Sequence, residues 1–303
     1  MWLLLLIYAS ILFFIGSTIA KAIKYSRMPV HLRCELYPIA HEVGRESAGT
    51  YLEELSTEKN LRHSTLGELK YIAKEMFLFQ KCFYNNRALW YFTYPFHIGL
   101  FLLILWLILI FSGALMMIFG INFGESANIS IKILNYVSLG VGILGIILGI
   151  FGCVGLIIKR SMDKKYKIYT TFRDYFSLLF IFAVLLNGLI CWISYYPLNN
   201  VARQLMKSII TFSPGIILNA SLSIGLILLS LLLFYLPFTP MMHFLGKYFT
   251  YHKVVWDNER KFKGTRLEGK LQKQLLQPIS WAAPHAKPYK TWEEVIFDHK
   301  EIK

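Results

Sequence analysis

Five stretches of the chain are almost uninterrupted in their apolar character: residues 2 to 22, 92 to 119, 133 to 158, 174 to 196 and 214 to 237. Each is long enough to cross a hydrocarbon layer of about 30 Å as an α-helix rising about 1.5 Å per residue. The polar positions between them are unevenly charged. Nearly all Lys and Arg fall in three segments, 23 to 90, 159 to 173 and 247 to 303, whereas the two remaining loops hold only Lys132, Arg203 and Lys207. The three basic segments alternate with five spans in a way that satisfies the positive-inside rule, with the N-terminus outside and the basic segments in the cytoplasm. The pattern therefore predicts an all-α membrane protein, a bundle of five transmembrane helices with a cytoplasmic loop helix and tail. Its organisation is a first transmembrane helix (1 to 22), a cytoplasmic segment with an amphipathic helix (23 to 91), a bundle of transmembrane helices 2 to 5 (92 to 246) and a cytoplasmic tail (247 to 303). No basic residue precedes the first run and Lys21, Lys24 and Arg27 follow it, an order that suits a retained anchor rather than a cleaved signal peptide.

The segment 23 to 90 is too long for a simple connection and is expected to fold against the membrane or a partner. Thr65 and Glu68 have the spacing of a capping box, after which Leu66, Leu69, Ile72, Met76, Phe79 and Phe83 recur at intervals of three and four. This predicts one amphipathic helix, with Lys70, Lys74, Glu75 and Lys81 on its polar side, suited to the headgroup region or to a docked subunit. The tail mixes charge with Pro278, Pro284 and Pro288 and ends in Trp292, Val295, Ile296 and Phe297, and is expected to be ordered by lying along another protein.

Composition adds little until its distribution is considered. The 303 residues are 55% hydrophobic and 17% charged, with a formal net charge of +14. In a soluble protein that charge would suggest nucleic acid; here it is accounted for by topology, and no nucleic-acid partner is expected. Cys34, Cys82, Cys153 and Cys191 are scattered singly, so no cysteine metal site or protein-bound iron-sulfur cluster is indicated, and no disulfide is expected. Gly140, Gly142, Gly145, Gly149, Gly152 and Gly155 concentrate in the third span and would admit either a neighbouring helix or a flat cofactor close to the backbone. Asn187 and Asn219, in the fourth and fifth spans, call for hydrogen-bond partners between helices.

Of eight histidines, His31, His41, His63, His97, His243, His252, His285 and His299, only His97 lies within an apolar run. Histidine is costly in lipid, so His97 is either a hydrogen-bonded packing residue or a functional group. His243 lies just past the fifth span, after Pro237 and Pro240, which bend the chain. The second span runs outward and the fifth inward, so both histidines belong near the cytoplasmic side. Two facing imidazoles can clamp a haem iron axially, which makes His97 and His243 the candidate iron ligands and the candidate cofactor-binding residues. Arg87, Lys159 and Arg160 are the basic residues nearest by topology for the propionates.

The five-span plan, the aromatic approach into Phe96-His97-Ile98-Gly99 and the closing Leu236-Pro237-Phe238-Thr239 followed by His243 resemble the membrane cytochrome b family of the respiratory nitrate reductase gamma subunit. Met28-Pro29-Val30-His31-Leu32-Arg33-Cys34-Glu35-Leu36-Tyr37-Pro38 with His41-Glu42, and Tyr169-Thr170-Thr171 with Asp174 and Tyr175, resemble a branch that works with iron-sulfur subunits like the catalytic subunit of heterodisulfide reductase. The likeness covers nearly all of residues 1 to 260. It implies a respiratory electron-transfer subunit in the cytoplasmic membrane that performs no bond chemistry of its own. Electrons would pass through haem b between menaquinol or menaquinone and a cytoplasmic iron-sulfur partner. Typical members hold a second, outer haem. Its ligand positions correspond by register to Leu107 and Gly225, neither of which binds iron, so one haem b is expected. Met116 and Met117 offer thioethers near that end but suit packing better. The alternative function is a structural membrane anchor without redox activity; a transporter is disfavoured because the spans lack paired charges and an inverted repeat.

Overall fold

The computed structural model describes residues 2–28, 65–121, 123, 128–195, 198–213, 219–252, 263–264, 266–282 and 287–297. Cys34, the 29 to 42 part of the resemblance, Pro284, and His31, His41, His63, His285 and His299 lie outside them. The described residues are mostly helical and include no strand, with a single isolated bridge between Pro278 and Thr291. The helices are α1 (Trp2–Ser26), α2 (Thr65–Phe77), α3 (Gln80–Asn85), α4 (Arg87–Ile118), α5 (Ile129–Met162), α6 (Lys164–Lys167), α7 (Phe172–Ser194), α8 (Leu198–Ile210), α9 (Ala220–Tyr235), α10 (His243–Thr250), α11 (Arg266–Leu275) and α12 (Trp292–Phe297). Five stretches have the length and composition to span a membrane: α1, α4, α5, α7 and α9 extended to Phe238. All five apolar runs of the sequence are thus helices, and the chain is a multi-pass membrane protein of the all-α class. The chain divides into two compact units, one of residues 1–17 and 72–241, the other of 18–71 and 242–303.

In the first unit the main contact is between α4 and α5, which run antiparallel. The glycines of α5 decide how close they come. A Cβ on Gly99 of α4 would collide with the backbone of Gly149 and fall 2.8 Å from the Gly145 carbonyl oxygen, and one on Gly152 would fall 2.6 Å from the Phe96 Cα. Gly155 gives way to the Phe92 ring. At Gly145, Gly152 and Gly155 it is the neighbouring helix α4 that comes close to the backbone. Backbones this close gain dispersion contacts that bulkier side chains would prevent.

Two apolar clusters lie along this pair. One gathers Phe96, Cys153, Leu156, Leu178, Ile181, Leu185 and Leu232; the other gathers Ile146, Cys191, Trp192, Leu198 and Leu222. Helix α7 contributes to both and starts on a cap: the Asp174 carboxylate accepts from the Thr171 N–H at 2.9 Å and its hydroxyl at 2.8 Å. Asn187 finds its interhelical partner, donating to the Ser221 carbonyl at 3.2 Å. Asn219 does something else. It precedes α9 and accepts the Leu222 N–H at 3.0 Å, so it caps that helix instead of bridging two, and the fifth span begins several residues later than its apolar run. The first part of α1 joins this unit through Tyr8, whose hydroxyl donates to the Ile209 carbonyl at 2.6 Å, and through Phe13 against Phe234.

Helix α8 lies in the loop between the fourth and fifth apolar runs, where the hydrophobic pattern predicts no element. Leu198, Val201, Leu205 and Ile209 follow helical spacing, but the residues it buries most deeply are Asn199 and Arg203, both 0% exposed. The Arg203 side chain occupies the space left by Gly113 of α4, where a Cβ would lie 2.6 Å from Nε. Its Nη1 donates to Asn135 Oδ1 at 2.7 Å and the Phe123 ring lies 4.4 Å from its central carbon. Burial pushes the Arg203 guanidinium down to about 10, still charged at neutral pH.

The second unit joins the end of α1, the start of α2, α10 and the tail. Tyr25 packs on Phe249 and Tyr71 on Tyr251, with ring centroids 5.8 Å apart in each case. The tail departs from expectation in having contacts of its own: Ile279 is buried, its N–H donates to the Lys290 carbonyl at 2.9 Å, and Trp281 lies 6.0 Å from Trp292.

Candidate functional site

His97 sits in the first half of α4, two residues after Pro95, whose missing N–H removes one rung of the helix ladder. Its Nδ1 lies 2.8 Å from the Thr93 carbonyl oxygen. A carbonyl only accepts, so Nδ1 carries the hydrogen and the lone pair of the neutral ring is on Nε2. Metal-ligating histidines are oriented in this manner, one nitrogen held by a backbone carbonyl while the other is directed to the metal. Phe79 and Phe96 flank the ring, with centroids 4.6 Å and 5.3 Å away, the second perpendicular to it. The donor chemistry of His97 therefore fits an axial ligand of haem iron.

His243 is the first residue of α10 and is exposed. Two 3-10 turns, Leu236–Phe238 and Pro240–Met242, carry the chain from α9 to it. Between them Thr239 donates its hydroxyl hydrogen to the Leu236 carbonyl at 2.8 Å and accepts the Met241 N–H at 3.1 Å. Pro237 is fully buried, so this Leu-Pro-Phe-Thr corner is a fixed bend rather than a frayed helix end. The next histidine along, His252, has both ring nitrogens engaged: Nδ1 lies 2.8 Å from the Tyr248 carbonyl and Nε2 2.6 Å from Glu68 Oε1.

The basic candidates differ in what they already hold. Lys159 pairs with Asp163 at 2.8 Å, and that ammonium keeps the Asp163 carboxyl below the usual carboxylate range. Arg87 lies over the Phe83 ring at 4.4 Å, and Arg160 is half-buried in the last turn of α5. At the positions that would serve an outer haem, Leu107 is 48% exposed on the outside of α4 and the space at Gly225 is taken by the Asn187 amide oxygen. Met116 and Met117 are half-buried near the end of α4. Among the described residues no three His, Cys, Asp or Glu side chains gather as a metal site made of protein ligands alone requires.

The sequence model of the nitrate reductase gamma subunit family matches residues 80–259, from the start of α3 to beyond α10, and so takes in both His97 and His243. The chain belongs to that family. No curated protein and no solved structure matches it. Membership of the nitrate reductase gamma family makes the chain a membrane cytochrome b type of electron-transfer subunit.

The structure also alters the α2 region next to His97. The apolar stripe does not run through one helix: α2 ends at Phe77, α3 begins at Gln80, and Phe79 between them has φ 51° and ψ 45°, in the left-handed region. Glu75, expected on the solvated face, is 9% exposed, whereas Leu66 and Leu69 are exposed. The bend interrupts the stripe: Phe79 is buried, and Glu75 turns inward because its carboxylate accepts the Lys81 N–H across the bend at 3.2 Å. At the next junction Asn86 accepts the Leu89 N–H at 3.1 Å to start α4 and donates its amide to the Tyr166 hydroxyl. A continuing three-and-four spacing in the sequence conceals this change of direction at Phe79.

Proposed function

We propose that this chain binds a single haem b, with His97 and His243 as axial ligands, and transfers electrons between menaquinol or menaquinone in the bilayer and an iron-sulfur subunit on the cytoplasmic side. The observation that carries the reading is the orientation of His97: its Nδ1–H is committed to the Thr93 carbonyl, which leaves the lone pair on Nε2. The family match over both histidines supports it further. When bound, the haem supplies one-electron chemistry; the chain supplies two imidazoles, an apolar surround and an anchor in the membrane. A count of one is favoured by the lipid-facing Leu107 and by Asn187 closing the space at Gly225.

The partner is an iron-sulfur protein resembling the catalytic subunit of heterodisulfide reductase. Its docking surface is the exposed apolar side of α2, including Leu66 and Leu69, together with the tail. The orientation with the N-terminus outside and the tail in the cytoplasm follows from the distribution of Lys and Arg.

Replacement of His97 or His243 by Ala is expected to abolish the reduced b-type spectrum of the purified protein while insertion stays unchanged, because the spans keep their hydrophobicity. His252→Ala is expected to keep it, since both nitrogens of His252 already have partners. A pyridine haemochrome assay is expected to give one haem per chain; two haems, or a normal spectrum in His97→Ala, would refute the assignment. Truncation after Trp256 is expected to release the partner in a pull-down and retain the haem.

A further inference from the structure

We propose that Glu75 and Phe79 are positioning residues for the His97 imidazole, the carboxylate holding a bend that lays the Phe79 ring against it. This rests on His97 being the haem ligand. The bend is an unusual piece of backbone. Phe79 adopts φ 51°, which places the Cβ of an L-residue against its own carbonyl and is rare for a bulky side chain. Such a conformation persists when its surroundings over-determine it, and here they do. Glu75 spans the bend to the Lys81 N–H, one of the donors that the first turn of α3 leaves without a helical acceptor. The Trp90 indole of α4 donates to the Leu78 carbonyl at 3.0 Å, within the bend itself. The Phe77 ring meets Phe101 of α4, one turn beyond His97, at 5.7 Å. The bend is thus fastened to α4 on both sides of His97, and Phe79 can only point at the imidazole.

Glu75 is the only buried carboxylate among the described residues. A buried carboxylate near a redox centre would ordinarily act by its charge, favouring the oxidised iron. A purely positional role requires of Glu75 only an acceptor oxygen. The Phe79 ring limits rotation of His97 about its Cβ–Cγ bond and keeps water from that side. An iron centre that is kept dry holds its electron more readily, since water stabilises the more highly charged ferric state.

The two roles have opposite signs, and equilibrium redox titration of the haem-loaded full-length protein, read with the ferric electron paramagnetic resonance signal, separates them. Phe79→Ala and Glu75→Ala are expected to keep the haem, shift the equilibrium about tenfold toward the ferric form, roughly 59 mV more negative for one electron, and alter the ferric signal. Glu75→Gln, whose amide oxygen still accepts from Lys81, is expected to behave as the native protein. If Glu75→Gln and Glu75→Ala both move the potential upward, Glu75 acts through charge and the proposal fails. It fails equally if Phe79→Ala leaves potential and signal unchanged, or if Phe79→Leu, which keeps the apolar bulk, cannot bind haem. His97→Ala run in parallel keeps the two readings apart: retention of haem there refutes the ligand assignment, whereas a native-like Phe79→Ala in a chain that needs His97 refutes the positioning alone.

Discussion

The two ends of α4 solve the same problem, a polar side chain inside an apolar bundle, in opposite ways. Near its N-terminus, His97 has one nitrogen on a backbone carbonyl and two aromatic rings around it, an arrangement that leaves a basic lone pair on the other nitrogen. Near its C-terminus, Gly113 admits Arg203 of α8, and the guanidinium is closed over by Phe123 with a single short bond to Asn135 and no carboxylate among the described residues. Asn199, on the same face of α8, links the Trp106 indole to the Asn135 carbonyl, with bonds of 3.0 and 3.1 Å. One end holds an imidazole between a backbone carbonyl and two rings; the other holds a guanidinium in the space that a glycine leaves. The contrast shows that one helix can carry a polar group at each end by two different kinds of packing.

The largest effect is expected at the His97 end of the helix pair. Gly99→Leu would drive a side chain into the Gly145 and Gly149 backbone, which has no rotamer to adjust, and is expected to cost upwards of about 3 kcal/mol, read as loss of monodisperse protein after heating in detergent. Tolerance of Leu at this position would mean that α4 and α5 are not packed backbone to backbone.

At the other end the test is a pair of substitutions. Arg203→Ala leaves a cavity and an unmatched Asn135 oxygen and is expected to lower stability by roughly 2 to 4 kcal/mol. Arg203→Met, of similar length without charge, is expected to be at least as stable as the native protein, because it removes a desolvated cation that no carboxylate among the described residues compensates. A destabilised Met variant would indicate that the charge itself is required. A smaller effect belongs to Gly113→Ala, whose methyl group meets a side chain rather than backbone: about 1 to 2 kcal/mol, disappearing in the Arg203→Ala background if the two residues share one space. The smallest is Asp163→Asn. It breaks an exposed pair with Lys159 and is expected to leave the melting temperature unchanged at neutral pH. The Asp163 carboxyl is held below its ordinary range, so what little the pair contributes is present at neutral pH and is lost as pH falls through that lowered value.

The spans were legible because twenty or so apolar residues in a row have few other uses, and the cap at Thr171 and Asp174 because its chemistry is local. What escaped depended on direction or on distant partners. The spacing from Leu66 to Phe83 reads as a single helix, and nothing in it announces that Phe79 takes a left-handed conformation or that Glu75 is buried. Arg203 reads as a loop charge because its acceptance into the bundle depends on Gly113, ninety residues earlier in the chain. Asn219 sits in an apolar run, where the pattern calls for a bridge between helices, whereas the helix starts after it and uses it as a cap. The glycines of α5 announced a close neighbour without saying which one. The contacts of the tail, Ile279 with Lys290 and Trp281 with Trp292, join positions on either side of Pro284 and Pro288, and no local spacing announces them.

The glycine seam also bears on how the protein is made. Helices α4 and α5 are consecutive in the chain and meet through their backbones, so the hairpin has its complete interface once α5 has left the ribosome, without waiting for any later span. His97 is carried on the first arm of that hairpin, whereas His243 follows the last span. During synthesis one imidazole is in place long before the other exists. A cofactor that requires both can be held only by a chain translated through α10, and its capture would distinguish finished copies from truncated ones.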